Sequence, residues 1–187
     1  MEERHIVNLL LNGIRLKQMP RTGWLQRGVP QAENVAAHSY GVSLTALALI
    51  EAINQPFAVA RVLAMAVLHD LPESLTSDIP APVKRFMGDK DAKTNMERLA
   101  LLEITDDVSF GGSWRALWEE YAAEESAESK LVHDADKIDM FLQALTYEQQ
   151  TGNRLLDQFW QVPYTFFYPE AQSLYDYLRA AHENLKR

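Results

Sequence analysis

Apolar residues recur at three- and four-residue steps along most of this chain, while alternating, β-branched runs bounded by turns are few. A period near 3.6 gathers the apolar side chains of each segment into one stripe, which constrains the chain to an all-α fold. At 187 residues it is expected to form one domain spanning 1–187, a helical bundle with a core of ordinary size. No internal repeat, low-complexity tract or linker divides it.

Helices are predicted over residues 3–17, 35–53, 57–71, 92–104, 113–123, 127–150 and 169–184. Met19-Pro20-Arg21-Thr22-Gly23 ends the first, and loop follows to Ala32. Asn34 is placed to cap the second; Gln55-Pro56 separates it from the third, with which it should pack as an antiparallel pair. Pro72, Pro80 and Pro82 make 72–82 a bent connector with room for one helical turn. Gly111-Gly112 and Thr151-Gly152-Asn153 read as breaks, and 161–168, rich in Tyr and Phe, as an aromatic loop. In the helix over 127–150 the expected core stripe is Ala127, Leu131, Ala135, Ile138, Leu142 and Leu145.

Composition narrows function by exclusion. Without cysteine the chain has neither a disulfide nor a thiolate metal site, so any metal is left to His, carboxylate, carbonyl or water. A net charge of −8 argues against a broad nucleic-acid or anionic-membrane surface. The apolar run near the N-terminus is too short and broken for a signal peptide or membrane span, and a cytoplasmic protein is expected.

The segment VLHDLPESLTSDIP carries the most chemistry. His69 and Asp70 end an apolar helix that should be buried, and burying such a pair is costly unless it is partnered or metal-bound. On a continuing helix Glu73 lies one turn from His69, with Asp70 about 100° round. The same residues could merely end the helix, Asp70 capping a new turn near Pro72. His38, among the small residues Ala36, Ala37, Ser39 and Gly41, is either a satisfied core histidine or a ligand. Asp136 lies off the core stripe near Val132 and Met140, where an acid is either solvated or functional, and Asp134 and Asp139 compete for any role.

The order His38, His69-Asp70, Asp136 resembles the H…HD…D ligand pattern of the HD-domain superfamily. The segments RLKQMPRTGWLQRGV, ENVAAHS, LHDLPESLTSDIP and LWEEYAAEESAESKLVHDADKIDM are similar to one branch, the 5′-deoxynucleotidases of the YfbR-like and HD-domain-containing-protein-2 type. The resemblance runs from about Ile14 to the aromatic C-terminal region, with the core motif over about 33–145. It implies a single HD-domain bundle in which His38, His69, Asp70 and Asp136 hold one divalent ion of the Mn, Co, Fe or Mg class. The implied reaction is hydrolysis of deoxyribonucleoside 5′-monophosphates to deoxyribonucleoside and phosphate.

By the same resemblance Asp70 and Glu73 are catalytic, Glu73 positioning or deprotonating water, and Asp78 contacts ligand or a second metal. Arg21 is assigned to phosphate and Trp24 to the sugar and base pocket. Plainer readings stand beside two of these: Asp78 capping the turn at Pro80, and Trp24 as a core anchor. His133-Asp134 is a decoy by family pattern, and His5 and His182 are expected to be solvated or capping. A small nucleotide partner and a homodimer are expected. The alternatives are another phosphomonoester, a nucleoside triphosphate or a cyclic nucleotide as substrate, or an HD-like binding protein without turnover.

Overall fold

The structure is a computed structural model that describes residues 2–161 and 164–186. Its regular elements among these residues are helices, with one isolated bridge between Pro20 and Asn34. α1 (Glu2–Leu16) is followed by α2 (Thr22–Leu25), a short helix inside the stretch predicted as loop. Asn34 caps α3 (Val35–Ala52) as expected, its side-chain oxygen accepting the Ala37 N–H at 2.8 Å, an interaction worth about 1 kcal/mol.

α4 (Val59–Leu68) stops short of the predicted end. Pro72 follows, so the chain turns and restarts as α5 (Glu73–Thr76), then makes a 3-10 turn over Ala81–Phe86. Two long helices come next, α6 (Ala92–Thr105) and α7 (Gly111–Ala123). Gly111 opens α7 instead of preceding it, and only glycine fits there, since a Cβ would stand 1.9 Å from the Thr105 carbonyl oxygen. α8 (Ala127–Thr151) leads through a 3-10 turn (Arg154–Leu156) into α9 (Asp157–Gln161), and α10 (Pro169–Leu185) completes the described chain. Of the predicted aromatic loop, 164–168 is non-helical, 161 belongs to α9, and 162–163 lie outside the described residues.

α8 is the axis of the molecule: it packs against α3, α4, α7 and α10. With neighbours on several sides, its buried surface is wider than the single predicted stripe. Val132, Phe141 and Ala144 join Leu131, Ala135, Ile138 and Leu145 in the core, whereas Leu142 and Ala127 are exposed. α9 and α10 close over this core through Trp160 and Tyr175, whose rings pack on Phe141. His182 is accordingly not solvated, as the sequence suggested; it is 1% exposed, stacked on Trp160, and donates from Nδ1 to Glu148 at 2.8 Å. His5 is hydrogen-bonded to the Asp107 carbonyl.

Two buried clusters meet where the chemistry lies. One is built on α8 with α3, α4, α9 and α10; the other joins α1, α6 and α7 to Val35, Leu68 and Leu71. On α3, His38 falls between Val35 of one cluster and Val42 of the other, and His69 directly follows Leu68. Both imidazoles are thereby held in rigid, packed surroundings.

Candidate active site

His38 and His69 come from different helices, and their rings lie 5.4 Å apart, edge to face. Each has one nitrogen fixed from behind. His69 Nδ1 donates to the Ala66 carbonyl at 2.8 Å, and His38 Nδ1 donates to the Asp139 carboxylate at 2.8 Å. A carbonyl can only accept, so the proton of neutral His69 is on Nδ1 and the Nε2 lone pair is left free. Both Nε2 atoms are buried without a hydrogen-bond partner.

Two carboxylates stand where these atoms point. Asp136 Oδ1 is 3.2 Å from His38 Nε2; Asp70 Oδ2 is 3.2 Å from His69 Nε2 and 3.7 Å from His38 Nε2. Donors bound about 2.1 Å from one ion at right angles stand about 3 Å apart, so this spacing suits a shared divalent cation. The two orphaned imidazole nitrogens and the N,N,O,O donor set fit such an ion.

The electrostatics agree. Burial and Arg21 disfavour a second proton on His38, but Asp136 and Asp139 outweigh both and push its pKa up to about 9; the same carboxylates favour a metal cation there. Asp70 and Asp136 stay well below the usual carboxylate range despite burial, Asp70 through His69, His38 and Arg21, and Asp136 through Lys137, His38 and His69. Glu73 behaves oppositely. Its burial, reinforced by Asp70 and Asp78, raises its proton affinity; Lys93 approaches one oxygen at 3.6 Å, and Oε2 has no partner.

Asp139 depends on a close approach of α3 to α8. A Cβ at Gly41 would lie 2.0 Å from Asp139 Oδ1, so only glycine lets that carboxylate reach His38. Gly41→Ala, which favours an isolated helix by up to about 1 kcal/mol, is therefore expected to weaken metal binding by about 10- to 100-fold, as loss of a ligand's outer partner does. Calorimetric titration with Mn²⁺ checks this; unchanged affinity would mean that Asp139 does not orient His38.

Above the cluster opens a cavity of about 850 Å³ lined by Arg21, Trp24, Glu73, Asp78, Lys93, Tyr121, Phe159 and Phe167, among others. Its size lies in the range that takes a small-molecule ligand. Arg21 is set by the bridge between Pro20 and Asn34 and by its own N–H donating to the Glu33 carbonyl at 2.9 Å; its guanidinium reaches Asp70 at 3.4 Å. Asp78 does not cap the turn at Pro80 but accepts the Thr22 N–H, tying the connector to the Arg21 loop. Trp24 is a core residue, 1% exposed, whose indole N–H donates to Glu33. Its ring packs on Phe159 at 4.4 Å, and Phe159 carries Arg27 on its face.

An HD-domain family profile matches residues 14–175. The chain belongs to the HD-domain family. A Danio rerio HD-domain relative, 5′-deoxynucleotidase HDDC2, is 35% identical over 165 residues, covering 86% of this chain and 79% of the relative. The Schizosaccharomyces pombe 5′-deoxynucleotidase hdd1 is 37% identical over 153 residues, 78% of this chain and 74% of its own. Among solved structures, the PH0347 protein from Pyrococcus horikoshii OT3 is similar at a TM-score of 0.75 and 32% identity, over 95% of this chain and 98% of that one.

In this HD domain the structure brings together His38, His69, Asp70 and Asp136, with Arg21 and Glu73 at their margin. His133 lies apart from the donor cluster, stacked on Tyr121 and bonded to its carbonyl, and Asp134 accepts the N–H groups of Phe167 and Tyr168. Sequence reasoning missed Lys93, Lys137, Tyr121 and Phe159 on the cavity wall, and left Asp139 as a mere competitor. The one available signal for Asp139 was its spacing: three residues after Asp136, it shares a helix face with it.

Proposed function

We propose that this HD-domain protein is a metal-dependent 5′-nucleotidase that hydrolyses deoxyribonucleoside 5′-monophosphates to deoxyribonucleoside and phosphate. The observation that carries the reading is the meeting of two Nδ1-anchored imidazoles and two carboxylates beneath a nucleotide-sized cavity. The curated relatives named 5′-deoxynucleotidase support the choice of substrate.

His38, His69, Asp70 and Asp136 would hold one ion, of the Mn, Co, Fe or Mg class suited to imidazole and carboxylate. When bound, such an ion would polarise the phosphate and lower the pKa of a bound water toward neutrality. Arg21 binds the phosphate through its planar fork, oriented by Asp70. Glu73, which would ionise once a cation in the site offsets the repulsion from Asp70 and Asp78, takes a proton from the attacking water and returns it to the leaving 5′ oxygen. Trp24, Phe159 and Phe167 wall off the sugar and base from solvent, and Asp78 keeps the Arg21 loop closed on the site. Among the described residues five cations line the cavity, but Arg21, Lys93 and Lys137 pair with Asp70, Glu97 and Asp136. That leaves little free positive charge for a triphosphate.

The test is phosphate release from matched ribo- and deoxyribonucleoside monophosphates with Mn²⁺, Co²⁺ or Mg²⁺. Faster release from the deoxy series is expected; release from no monophosphate would contradict the reading.

The protein is also proposed to act as a homodimer. Tyr40, Leu44 and Leu47 on α3 and Val7, Leu10, Leu11 and Ile14 on α1 form exposed apolar stripes at helical spacing. Of the aromatic segment, Trp160 is buried within the chain, whereas Phe167 is exposed. A two-chain species is expected in sedimentation equilibrium; a single-chain species at micromolar concentration would contradict it.

A further inference from the structure

A second group of ligating side chains lies about three turns along α8 from Asp136, where α9 and α10 join it. Glu148 accepts the Trp160 indole N–H at 3.0 Å on one oxygen and the His182 Nδ1–H at 2.8 Å on the other. His182 is thus anchored as His38 is, by a carboxylate on Nδ1. Its Nε2 is buried and has no hydrogen-bond partner. Asp157 Oδ1 and Glu183 Oε1 each stand 3.9 Å from that nitrogen. One donor atom from each of Glu148, Asp157 and His182 falls within 4.8 Å of the others. A recess of about 120 Å³, lined by Glu148, Gly152, Asn153, Arg154, Asp157 and Leu185, opens beside them.

Neither protonation state of His182 Nε2 satisfies this arrangement. A lone pair there faces two carboxylates and is repelled, whereas an N–H finds both acceptors beyond hydrogen-bond reach. A cation among the three atoms removes both faults. Lys186 partly supplies one, 3.8 Å from Asp157 and 3.3 Å from Glu183, but its side chain is one-third exposed and it pairs with the carboxylates, not with the buried nitrogen. We propose that His182 Nε2, Asp157 and Glu183 form a second divalent-cation site, of the zinc class, that fastens α10 to α9 and, through Glu148, to α8. One imidazole and two carboxylates make a three-ligand zinc set that leaves a position for water. Donors on one tetrahedral ion stand about 3.3 Å apart, somewhat less than the 3.9 Å that separates His182 Nε2 from each of the partly exposed Asp157 and Glu183 carboxylates.

The experiment is calorimetric titration of chelator-stripped protein with Zn²⁺, for wild type and for Asp70→Ala, Asp157→Asn and Glu183→Gln. The latter two replace partly exposed side chains with near-isosteres and leave the fold intact. Wild type is expected to bind two ions per chain. Asp70→Ala should retain the ion at His182, and Asp157→Asn should retain the ion at His38 and His69. In Asp157→Asn and Glu183→Gln the affinity for the second equivalent should fall by at least about tenfold. Binding of one ion per chain by wild type, or undiminished binding of two by Asp157→Asn, would overturn the proposal and leave His182 as part of an ion-pair cluster.

Discussion

Asp70→Ala is expected to abolish phosphate release while leaving the helices in place. Asp70 Oδ2 stands 3.2 Å from His69 Nε2, it also approaches His38 Nε2, and it holds the Arg21 guanidinium. Its removal therefore takes one ligand from the ion, one negative charge from a site with two imidazoles, and the support from the phosphate-binding group. Losing only an outer partner of a ligand weakens metal binding by about 10- to 100-fold, so losing a charged ligand should exceed that range. Circular dichroism should be unchanged, because the side chain lies at the margin of the core, 15% exposed, and makes no backbone contact that α4 needs. Calorimetric titration with Mn²⁺ and a phosphate-release assay check both halves. Wild-type turnover in the variant would remove Asp70 from the site.

Glu73→Gln is expected to lower kcat by about 10²- to 10⁴-fold, the usual worth of a positioned acid–base group, with metal affinity and KM nearly unchanged. The substitution keeps the volume and hydrogen-bonding reach of the side chain and removes only its capacity to exchange a proton. Stability gives an independent control. A buried carboxyl whose proton affinity is raised in the folded state destabilises that state at every pH above its unfolded pKa, because the unfolded chain ionises more readily. In chelator-treated protein at neutral pH, Glu73→Gln, which mimics the protonated form that burial favours in the folded state, should therefore melt no lower than wild type. A variant that loses activity together with thermal stability would point to a structural role; one that keeps full kcat would exclude Glu73 from proton transfer.

The helices were readable in the sequence because their signals are local. Asn34 caps α3, Pro72 breaks the chain after His69-Asp70, and the apolar period of the other long segments marks their extents to within a few residues. For the site the local signals left each residue open; it was the resemblance of the order His38, His69-Asp70, Asp136 to the HD-domain ligand pattern that picked out four side chains the fold brings together. What could not be read depends on helices meeting. Leu142 fits the stripe of α8 but points to solvent, while Val132 and Phe141 are buried because α8 has neighbours on several sides. Asp139 becomes the support of His38 only because Gly41 admits it from the facing helix. Lys93 reaches Glu73 from α6, and Phe159 reaches Trp24 from α9, a helix too short to show a period. His182, placed among charged residues near the end of the sequence, gave no sign of the Glu148 and Trp160 partners that bury it.

Whether the four-residue cluster works as a metal centre for phosphomonoester hydrolysis is tested most directly by phosphate release from a deoxyribonucleoside 5′-monophosphate by chelator-stripped protein, before and after a divalent ion is restored. The expected result is no release from the stripped protein and recovery with Mn²⁺ or Co²⁺ in wild type, with no recovery in Asp70→Ala. Release that persists without metal, or that Asp70→Ala recovers as fully as wild type, would contradict it.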